Sequence, residues 1–385
     1  MSRPAGVDLI PPSAQEVAPG LPDAPGLPDD GLAGAVEAEL AAYLARRAAD
    51  AAAIDPVFAE AGQALSGFVL SGGKRLRPTF AWWGWRGAGG HPESAEAPAV
   101  VRAISALELI QGCALIHDDL MDASATRRGR PTVHVDFARR HVDAGWRGMP
   151  ARFGAAAAIL LGDLALAWAD DMLRAAGLPP EAMARALVPW EAMRTEVLGG
   201  QFLDVLYQAA GDPSPRAALQ IDRFKTAAYT VERPLHLGAA LAGADADLVA
   251  AFRRFGADIG VAFQLRDDLL GVFGDPAVTG KPAGDDLREG KRTLLLAIAL
   301  QRAAERGSEA AATAIEAAVG DPDLDDEGVD RVRGLILDLG AHDEVEKRIT
   351  ALTGSALDAL DAARITDVAR AALVGLADQA TRRQS

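Results

Sequence analysis

Apolar residues recur at helical spacing along most of the chain. In the first such segment Val36, Leu40 and Leu44 fall on one helical face. Glycine- and proline-rich turns such as GDPSP separate the segments, and turns of this composition end helices. The pattern predicts a first helix that begins near residue 31 and runs past residue 47, and further helices over about 57–70, 78–86, 95–122, 154–176, 181–210 and 246–273. It also predicts a short helix within 132–149, a helix from 216 that Pro234 kinks, and several amphipathic helices after residue 290.

Composition supports a helical chain with a distinct N-terminal segment. Half of the residues are hydrophobic and only 5% are aromatic. We find no convincing alternating run of the kind that marks a strand, so we predict an all-α fold. Residues 1–30 are rich in Pro, Gly, Ala and Asp and are predicted to form a disordered tail. Residues 31–385 are predicted to form a single all-α domain.

The overall charge and the cysteine count exclude several classes of protein. A net charge of −15 argues against a nucleic-acid binder, which would carry basic stripes. Apolar runs of about 18 residues without a charge or a turn signal are absent, so we expect no membrane span. The N-terminus does not have the pattern of a secretory signal. The single cysteine, Cys113, cannot form an internal disulfide, which fits a reducing, cytoplasmic setting.

The first candidate site lies at the end of a buried helix, in the stretch LELIQGCALIHDDLMDASATRR. Asp118 and Asp122 are four residues apart, so they share one helical face at a spacing of about 6 Å. Stacked carboxylates repel each other unless a cation lies between them, and such oxygen ligands suit Mg²⁺. Arg127 and Arg128 follow in a loop, and their guanidinium groups match phosphate oxygens. The combination indicates a diphosphate site, although an acidic string alone is more often solvated or caps a neighbouring helix.

Two basic segments leave alternatives open. SGGKRLRP carries Lys74, Arg75 and Arg77. It is either a solvated basic turn favoured by the dipole of the preceding helix or a phosphate cradle at the start of the next one. Lys225 and Thr226 lie in an otherwise apolar helical face. A lysine in that position usually extends to solvent, and the alternative is that it points into a polar cavity.

A second acidic segment, like the first, follows an apolar helical run. FQLRDD presents Gln264, Asp267 and Asp268 after an apolar helical run. By spacing, Gln264 shares a face with both aspartates. The loop at 274–290 is dense in Gly, Pro and charge. Together with the residue that follows, it supplies Lys281, Asp285, Asp286 and Lys291.

Taken in order, these motifs resemble those of the trans-isoprenyl diphosphate synthases, also called polyprenyl synthetases. The resemblance covers about residues 35–380 and rests on GGKRLRP (72–78), DDLMD (118–122) with RRG (127–129), GQFLD (200–204), KT (225–226), FQLRDD (263–268) and GKPAGDDLREGK (280–291). It implies an isoprenoid synthase type helical bundle around a deep central cavity. It also implies that the chain forms a homodimer.

The resemblance implies a role for each motif. Asp118 and Asp122 would bind Mg²⁺ from one wall of the cavity and Asp267 from the other, with two or three ions in all. The allylic diphosphate would be contacted by Arg127, Lys225 and Lys281. The metal-free site for isopentenyl diphosphate would comprise Lys74, Arg77, Gln111 and Arg128, with Arg75 also among the substrate contacts. Thr226 and Gln264 would stabilise a carbocation through their oxygen dipoles, and Gln201 and Asp204 would support the other groups.

The implied reaction is a Mg²⁺-dependent head-to-tail condensation of isopentenyl diphosphate with dimethylallyl, geranyl or farnesyl diphosphate. Breaking the allylic C–O bond builds negative charge on the diphosphate, which metal ions and cationic side chains stabilise. The allylic cation needs an apolar pocket without water, and isopentenyl diphosphate must be held with its double bond against that cation. Loss of a proton completes the extension, with the leaving diphosphate as the base.

One departure from the family pattern bears on the metal site. Gly271 stands where many relatives have the third aspartate of the second acidic segment. Asp275 is two turns away from Asp267 and is a poor replacement. Because Asp267 carries most of the implied metal contact, we expect activity to survive, with the metal affinity of that side in question.

Product length depends on the residues one turn before the first acidic segment. The growing tail is expected to run from Asp118 along its own helix past Cys113 and Ala114. Both side chains are small, whereas family members that stop at fifteen carbons commonly carry an aromatic residue at one of these positions. We therefore predict geranylgeranyl diphosphate (C20), with farnesyl diphosphate or a longer polyprenyl product as the alternatives.

Two other functions are alternatives to the synthesis of a prenyl diphosphate. A class I terpene cyclase shares the fold and one DDxxD motif, but its second metal motif uses Asn, Ser or Thr, and Glu, where this chain has FQLRDD. A non-catalytic subunit of a prenyl synthase heteromer typically lacks one aspartate-rich segment. This chain keeps both segments, apart from Gly271.

Overall fold

The computed structural model describes residues 29–211, 213–275 and 284–382, and these residues form an almost entirely helical fold, as predicted. The elements in chain order are a 3₁₀ turn (Asp29–Gly31), α1 (Leu32–Ile54), α2 (Pro56–Leu70), α3 (Leu76–Gly87), α4 (Ala97–Met121), β1 (Thr126–Arg127), β2 (Arg130–Pro131), α5 (Val133–Asp143), α6 (Pro150–Arg174), α7 (Pro180–Ala210), α8 (Pro215–Ile221), a π-helical segment (Asp222–Glu232), α9 (Arg233–Ala242), α10 (Ala246–Phe273), α11 (Asp285–Arg288), α12 (Leu294–Glu305), α13 (Glu309–Ala318), α14 (Asp326–Asp338), α15 (Ala341–Asp361) and α16 (Asp367–Thr381).

Helix α4 lies in the interior because it is apolar on nearly all of its faces. Residues 103–110 of this helix are all buried, and α6, α1 and α3 pack around it. Helix α10 packs against the π-helical segment and α15. The two acidic segments of the sequence therefore lie in the C-terminal parts of two well-packed helices.

Helix boundaries follow local sequence signals. Helix α10 begins after Asp245, whose carboxylate accepts a hydrogen bond from the backbone N–H of Leu248 at 2.8 Å. Helix α2 begins in the same way after Asp55. Such caps satisfy N–H groups that have no partner inside the helix. The predicted bounds of α2, α7 and α10 agree with the observed ones to within one residue.

The predicted loop after α4 contains a small β-hairpin that the sequence analysis did not predict. Strands β1 and β2 pair antiparallel, with Thr126 opposite Pro131. The turn residues Arg128 and Gly129 have φ values of 53° and 72°. Two consecutive left-handed residues give the turn type that suits the twist of a hairpin. The turn fixes the directions in which the arginines of this loop leave the backbone.

The helix predicted from residue 216 is divided rather than kinked, because a π-helical segment separates α8 from α9. π-helical turns are rare in proteins, and many of those that do occur lie at functional sites. Helices α7 and α10 approach this segment closely at Gly200 and Gly260. A β-carbon at either glycine would collide with the backbone of the segment, at Lys225 and at Ala227 respectively. The close contacts fix the backbone that carries Lys225.

The predicted disordered tail falls largely outside the described residues, which begin at Asp29. The carboxylate of Asp29 accepts hydrogen bonds from Trp82 Nε1 at 2.9 Å and from Arg86 Nε at 3.1 Å. The described fold therefore begins two residues before the predicted domain boundary at residue 31.

Two helices, α4 and α6, are long and apolar enough to cross a membrane by length and composition alone. The most apolar stretch of α4 is 78% buried inside the fold, against 39% for α6. Helix α4 is accordingly a core helix. Helix α6 presents Ile159 and Leu160 to the surface, and an exposed apolar face of this kind is typical of a surface that contacts another chain.

Candidate active site

A cavity of about 500 Å³ opens between α4, α7, the π-helical segment and α10. Its lining includes residues that the sequence analysis singled out in four separate parts of the chain. They are Lys74, Asp118, Asp122, Lys225, Thr226, Gln264 and Asp267. The fold thus brings the two acidic segments, the lysine of the apolar helical face and one lysine of the basic turn to a single cavity.

The first acidic segment lies where α4 ends. The backbone N–H of Asp122 donates to the carbonyl oxygen of Asp118 at 2.8 Å, and both side chains line the cavity. Asp119 points into the protein, where it is 1% exposed, and accepts a hydrogen bond from Arg127 Nε at 2.8 Å. Burial within the cavity, followed by the charge of Asp118, raises the pKa of Asp122 to about 6. A bound cation relieves this kind of crowding.

Lys225 points into the cavity and not to the solvent. Its Nζ lies 2.9 Å from Asp118 Oδ1 and 2.6 Å from Asp204 Oδ2. Burial alone would lower the pKa of Lys225, but the two carboxylates raise it above its usual value. Lys225 therefore stays protonated, and of the two sequence-based alternatives the polar cavity is correct. Asp204, predicted as a supporting residue, holds this lysine in position.

Thr226 and Gln264 form a hydrogen-bonded chain across the cavity. The Thr226 hydroxyl donates to Gln264 Oε1 at 2.7 Å, and Gln264 Nε2 donates to Asp268 Oδ1 at 2.7 Å. Because its hydrogen is directed at Gln264, the Thr226 oxygen keeps its lone pairs for another partner. This orientation suits the predicted interaction with a carbocation.

Six further charged residues line the same cavity but are not among the predicted site residues: Asp222, Asp268, Asp285, Asp286, Lys291 and Arg292. Asp222 and Asp268 are buried, and Oδ2 of each has no hydrogen-bond partner among the described residues. Burial and the charge of Asp286 raise the pKa of Asp268 to about 8. Burial and the charge of Asp268 raise the pKa of Asp222 well above its ordinary range. The second wall is rich in carboxylates, and Lys291 lies 2.9 Å from Asp286.

A second cavity of about 450 Å³ lies beside α4 and is rich in arginine. Arg75, Gln111, Arg127 and Arg128 of the predicted set border it. Arg128 Nη1 donates to the carbonyl oxygen of Gly72 at 2.7 Å, which ties the hairpin to the glycine turn after α2. Several guanidinium groups around one cavity suit an anion such as a diphosphate.

Arg77 borders neither of these two cavities. Its guanidinium lies 3.9 Å from the centre of the Tyr229 ring and donates to the Thr230 hydroxyl at 2.9 Å. The Tyr229 hydroxyl in turn donates to Gln111 Oε1 at 2.6 Å. Tyr229 thus joins two predicted substrate residues that are far apart in the sequence. The only sequence signal for it is its place one turn after Lys225.

Arg75 differs from the basic residues on either side of it. Its side chain is buried, and Nη1 donates to Glu108 at 2.7 Å and to the Val69 carbonyl oxygen at 3.1 Å. The backbone of Arg75 is left-handed, with φ of 48°, which turns the side chain inward. Arg75 lines the second cavity and is paired with the buried carboxylate of Glu108, so its contact with substrate stays a prediction.

The remaining predicted residues concern the loop and the product tail. Lys281 lies outside the described residues. Cys113 is buried with its Sγ 3.7 Å from His117 Nδ1, and burial raises the pKa of its thiol to about 12. Ala114, the next residue, is only half-buried. The two predicted length-determining positions are therefore not equivalent, and Ala114 is the more open of the two.

The donor set of the larger cavity fits Mg²⁺. The candidate ligands Asp118, Asp122 and Asp267 offer only oxygen atoms, and they stand on two different walls. Among the described residues no three carboxylate, imidazole or thiol groups converge into a complete metal site. This arrangement agrees with the habit of Mg²⁺, which binds one or two carboxylates and fills its shell with water and substrate phosphate oxygens.

Comparison with known proteins decides the family. A model of the family described as Polyprenyl synthetase matches residues 59–330. The chain belongs to this family. A geranylfarnesyl diphosphate synthase of Aeropyrum pernix is 35% identical over 311 residues, which cover 80% of this chain and 89% of the relative. A geranylgeranyl diphosphate synthase of Mycobacterium tuberculosis is 41% identical over 209 residues, which cover 54% of each chain.

The fold agrees with that of solved polyprenyl synthetases. A geranylgeranyl pyrophosphate synthase from Corynebacterium glutamicum, complexed with isoprenyl diphosphate and magnesium, superposes with a TM-score of 0.88 at 49% identity. The match covers 93% of this chain and 100% of that one. This polyprenyl synthetase is accordingly a trans-prenyltransferase with the all-helical isoprenoid synthase fold, and its family depends in general on Mg²⁺. The family assignment sets the terpene cyclase alternative aside.

Proposed function

We propose that this polyprenyl synthetase condenses isopentenyl diphosphate with an allylic diphosphate to give geranylgeranyl diphosphate (C20). The observation that carries the proposal is that both acidic segments, Lys225 and Thr226 line one cavity. An arginine-rich cavity lies beside α4, which carries the first of those segments. One site thus holds a metal-bound diphosphate, and a neighbouring site holds a second diphosphate without metal.

The allylic diphosphate binds in the larger cavity. Asp118 and Asp122 would hold Mg²⁺ from one wall and Asp267 from the other. When bound, two or three Mg²⁺ ions would supply positive charge for the leaving diphosphate. Lys225, which stays protonated between two carboxylates, adds a fixed positive charge on the same group, together with Lys281 and with Arg127, which lines the second cavity but lies 3.5 Å from Asp118.

The carbocation is stabilised and protected by the chain itself. The Thr226 oxygen, whose hydrogen is held by Gln264, directs lone pairs at developing positive charge. Apolar side chains of the lining, Ile221 and Leu270 among them, help to exclude the water that would quench the cation.

Isopentenyl diphosphate binds through Gln111 and Arg128, which line the arginine-rich cavity, together with Lys74, which lines the larger cavity, and Arg77, which lines neither but is linked to Gln111 through Tyr229. The support is the arginine-rich cavity and the bridge that Tyr229 makes between Arg77 and Gln111. Holding this substrate in a fixed place brings its double bond to the cation. The leaving diphosphate takes the proton that completes the extension.

The C20 product rests on the small side chains beside the first acidic segment. Replacing Ala114 by Phe is expected to shorten the main product from C20 to C15, because a half-buried aromatic ring would block the path of the tail. Cys113→Phe is expected to act in the same direction. The measurement is chromatography of the dephosphorylated products from labelled isopentenyl diphosphate.

A matched control is Ala52→Phe, which adds the same ring at an exposed position of α1. It is expected to leave the product at C20. An unchanged product in both the Cys113 and the Ala114 variants would mean that other helices set the length of the tail.

We further propose that the chain is a cytoplasmic homodimer and that residues 31–385 form one domain. Exposed apolar side chains on α6 and α7 support the dimer, among them Leu160 (68% exposed) and Phe202 (67% exposed).

Leu160→Glu combined with Phe202→Glu is expected to halve the mass measured by sedimentation equilibrium. Val368→Glu, at an exposed apolar position of α16, is the control that should remain dimeric. A wild-type chain that sediments as a monomer would contradict the dimer.

A further inference from the structure

The glycine that replaces the third aspartate of the second acidic segment has a steric reason in this fold. A β-carbon built on Gly271 would overlap the carboxylate of Asp286. The space that an aspartate side chain would occupy at position 271 is therefore already taken by an aspartate from another part of the chain. The sequence does not reveal this relation, because the two positions are fifteen residues apart in the chain.

Asp286 is held firmly in that space. It lies in the first turn of α11 and is 7% exposed. Its Oδ1 accepts from Lys291 Nζ at 2.9 Å, and Lys291 is also paired with Glu289 at 2.7 Å. Like Asp267 and Gly271, Asp286 lines the larger cavity. The carboxylate therefore faces the same space as the metal-binding wall of α10.

An independent feature indicates a ligand at this point. Asp268 is 4% exposed, and its Oδ2 has no hydrogen-bond partner among the described residues. The same holds for Oδ2 of Asp222. A buried carboxylate oxygen without a donor is costly, and a hydrated divalent cation supplies what such oxygens need.

We propose, on the basis of the proposed function, that Asp286 is the third carboxylate of the second metal-binding wall and that Gly271 is required to admit it. The aspartate that the second acidic segment lacks is supplied from α11. In this arrangement Asp286 binds the metal, directly or through a metal-bound water, from the position that the side chain of residue 271 would otherwise occupy. Gly271 is consequently a requirement of this metal site and not a defect in it.

The proposal predicts a reciprocal effect of substitutions at the two positions. Asp286→Asn keeps the shape of the side chain but removes its charge. It is expected to weaken Mg²⁺ binding by about 10- to 100-fold, the usual effect of losing such a support. Gly271→Asp alone is also expected to weaken binding, because its side chain collides with Asp286. Gly271→Asp combined with Asp286→Ala restores one carboxylate at that place and is expected to recover binding to within about threefold of wild type.

The readout is calorimetric titration of Mg²⁺ into the full chain in the presence of inorganic diphosphate, with condensation rates measured on the same preparations. Asp326→Asn is the matched control, because this aspartate is 96% exposed and lies outside both cavities. Thermal unfolding without Mg²⁺ shows whether each variant is folded. The double variant provides a test even if Asp286→Asn is unstable.

Wild-type affinity in Asp286→Asn, or a double variant that binds no better than Gly271→Asp, would overturn the inference and leave the proposed function standing. A wild-type chain that neither binds Mg²⁺ with diphosphate nor forms product would overturn both.

Discussion

Replacing Asp118 by Ala is expected to abolish condensation while the fold is kept. Asp118 contacts two cationic residues of the site, since it approaches Lys225 at 2.9 Å and Arg127 at 3.5 Å. Loss of this carboxylate removes a proposed metal ligand and leaves Lys225 to pair with Asp204 alone. A fall in kcat of at least about 10²–10³-fold is expected, which is the effect of removing one strong transition-state contact.

The fold should survive this change because Asp118 is partly exposed and Lys225 keeps Asp204 at 2.6 Å. The control is Asp378→Ala, which removes an exposed carboxylate of α16 that pairs with Arg382. Steady-state rates and thermal unfolding of both variants give the comparison. Wild-type turnover by Asp118→Ala would refute the assignment of the metal site.

Replacing Lys74 by Ala is expected to have the second large effect, and it should fall on isopentenyl diphosphate. Lys74 is exposed on the turn after α2 and lines the larger cavity. It lies two residues from Gly72, which lines the second cavity, where we propose that isopentenyl diphosphate binds. We expect condensation to drop by at least about 10²-fold, because a cation that positions a reacting diphosphate is lost. Binding of the allylic diphosphate should be nearly unchanged, since Lys225 and the acidic segments remain.

Measuring the binding of each substrate distinguishes a role of Lys74 in isopentenyl diphosphate binding from a general loss of positive charge. Titration with each diphosphate should show weakened isopentenyl diphosphate binding and near-normal allylic binding. Lys347→Ala removes a lysine from an exposed position of α15 and should change neither. Equal weakening of both substrates by Lys74→Ala would mean that Lys74 serves the allylic site instead.

Much of the fold was predictable because its signals are local. The apolar period places the helices, and Asp55 and Asp245 cap two of them where the sequence predicts a start. The π-helical segment was not predictable, because it depends on close approach of helices at Gly200 and Gly260. The inward turn of Arg75 was equally hidden, since its left-handed backbone and its pairing with Glu108 are products of the folded chain.

The candidate site likewise has parts that the sequence predicts and parts that it cannot predict. Motif spacing predicts that Asp118 and Asp122 lie together, because residues on one helical face stay together when the helix forms. The place of Lys225 beside them depends on the packing of a different element. It could not identify Asp286, whose position opposite Gly271 exists only after α11 packs against α10. One composition signal was available for Lys291. The chain has only five lysines among its 39 basic residues, and Lys74, Lys225 and Lys291 all line the cavity.

The most direct test of the account is product analysis of the purified chain acting alone. It would be incubated with Mg²⁺, labelled isopentenyl diphosphate and, in separate reactions, dimethylallyl, geranyl or farnesyl diphosphate. The account predicts a C20 prenyl diphosphate from each starter. Absence of product with every starter would contradict it and favour a non-catalytic subunit of a prenyl synthase heteromer.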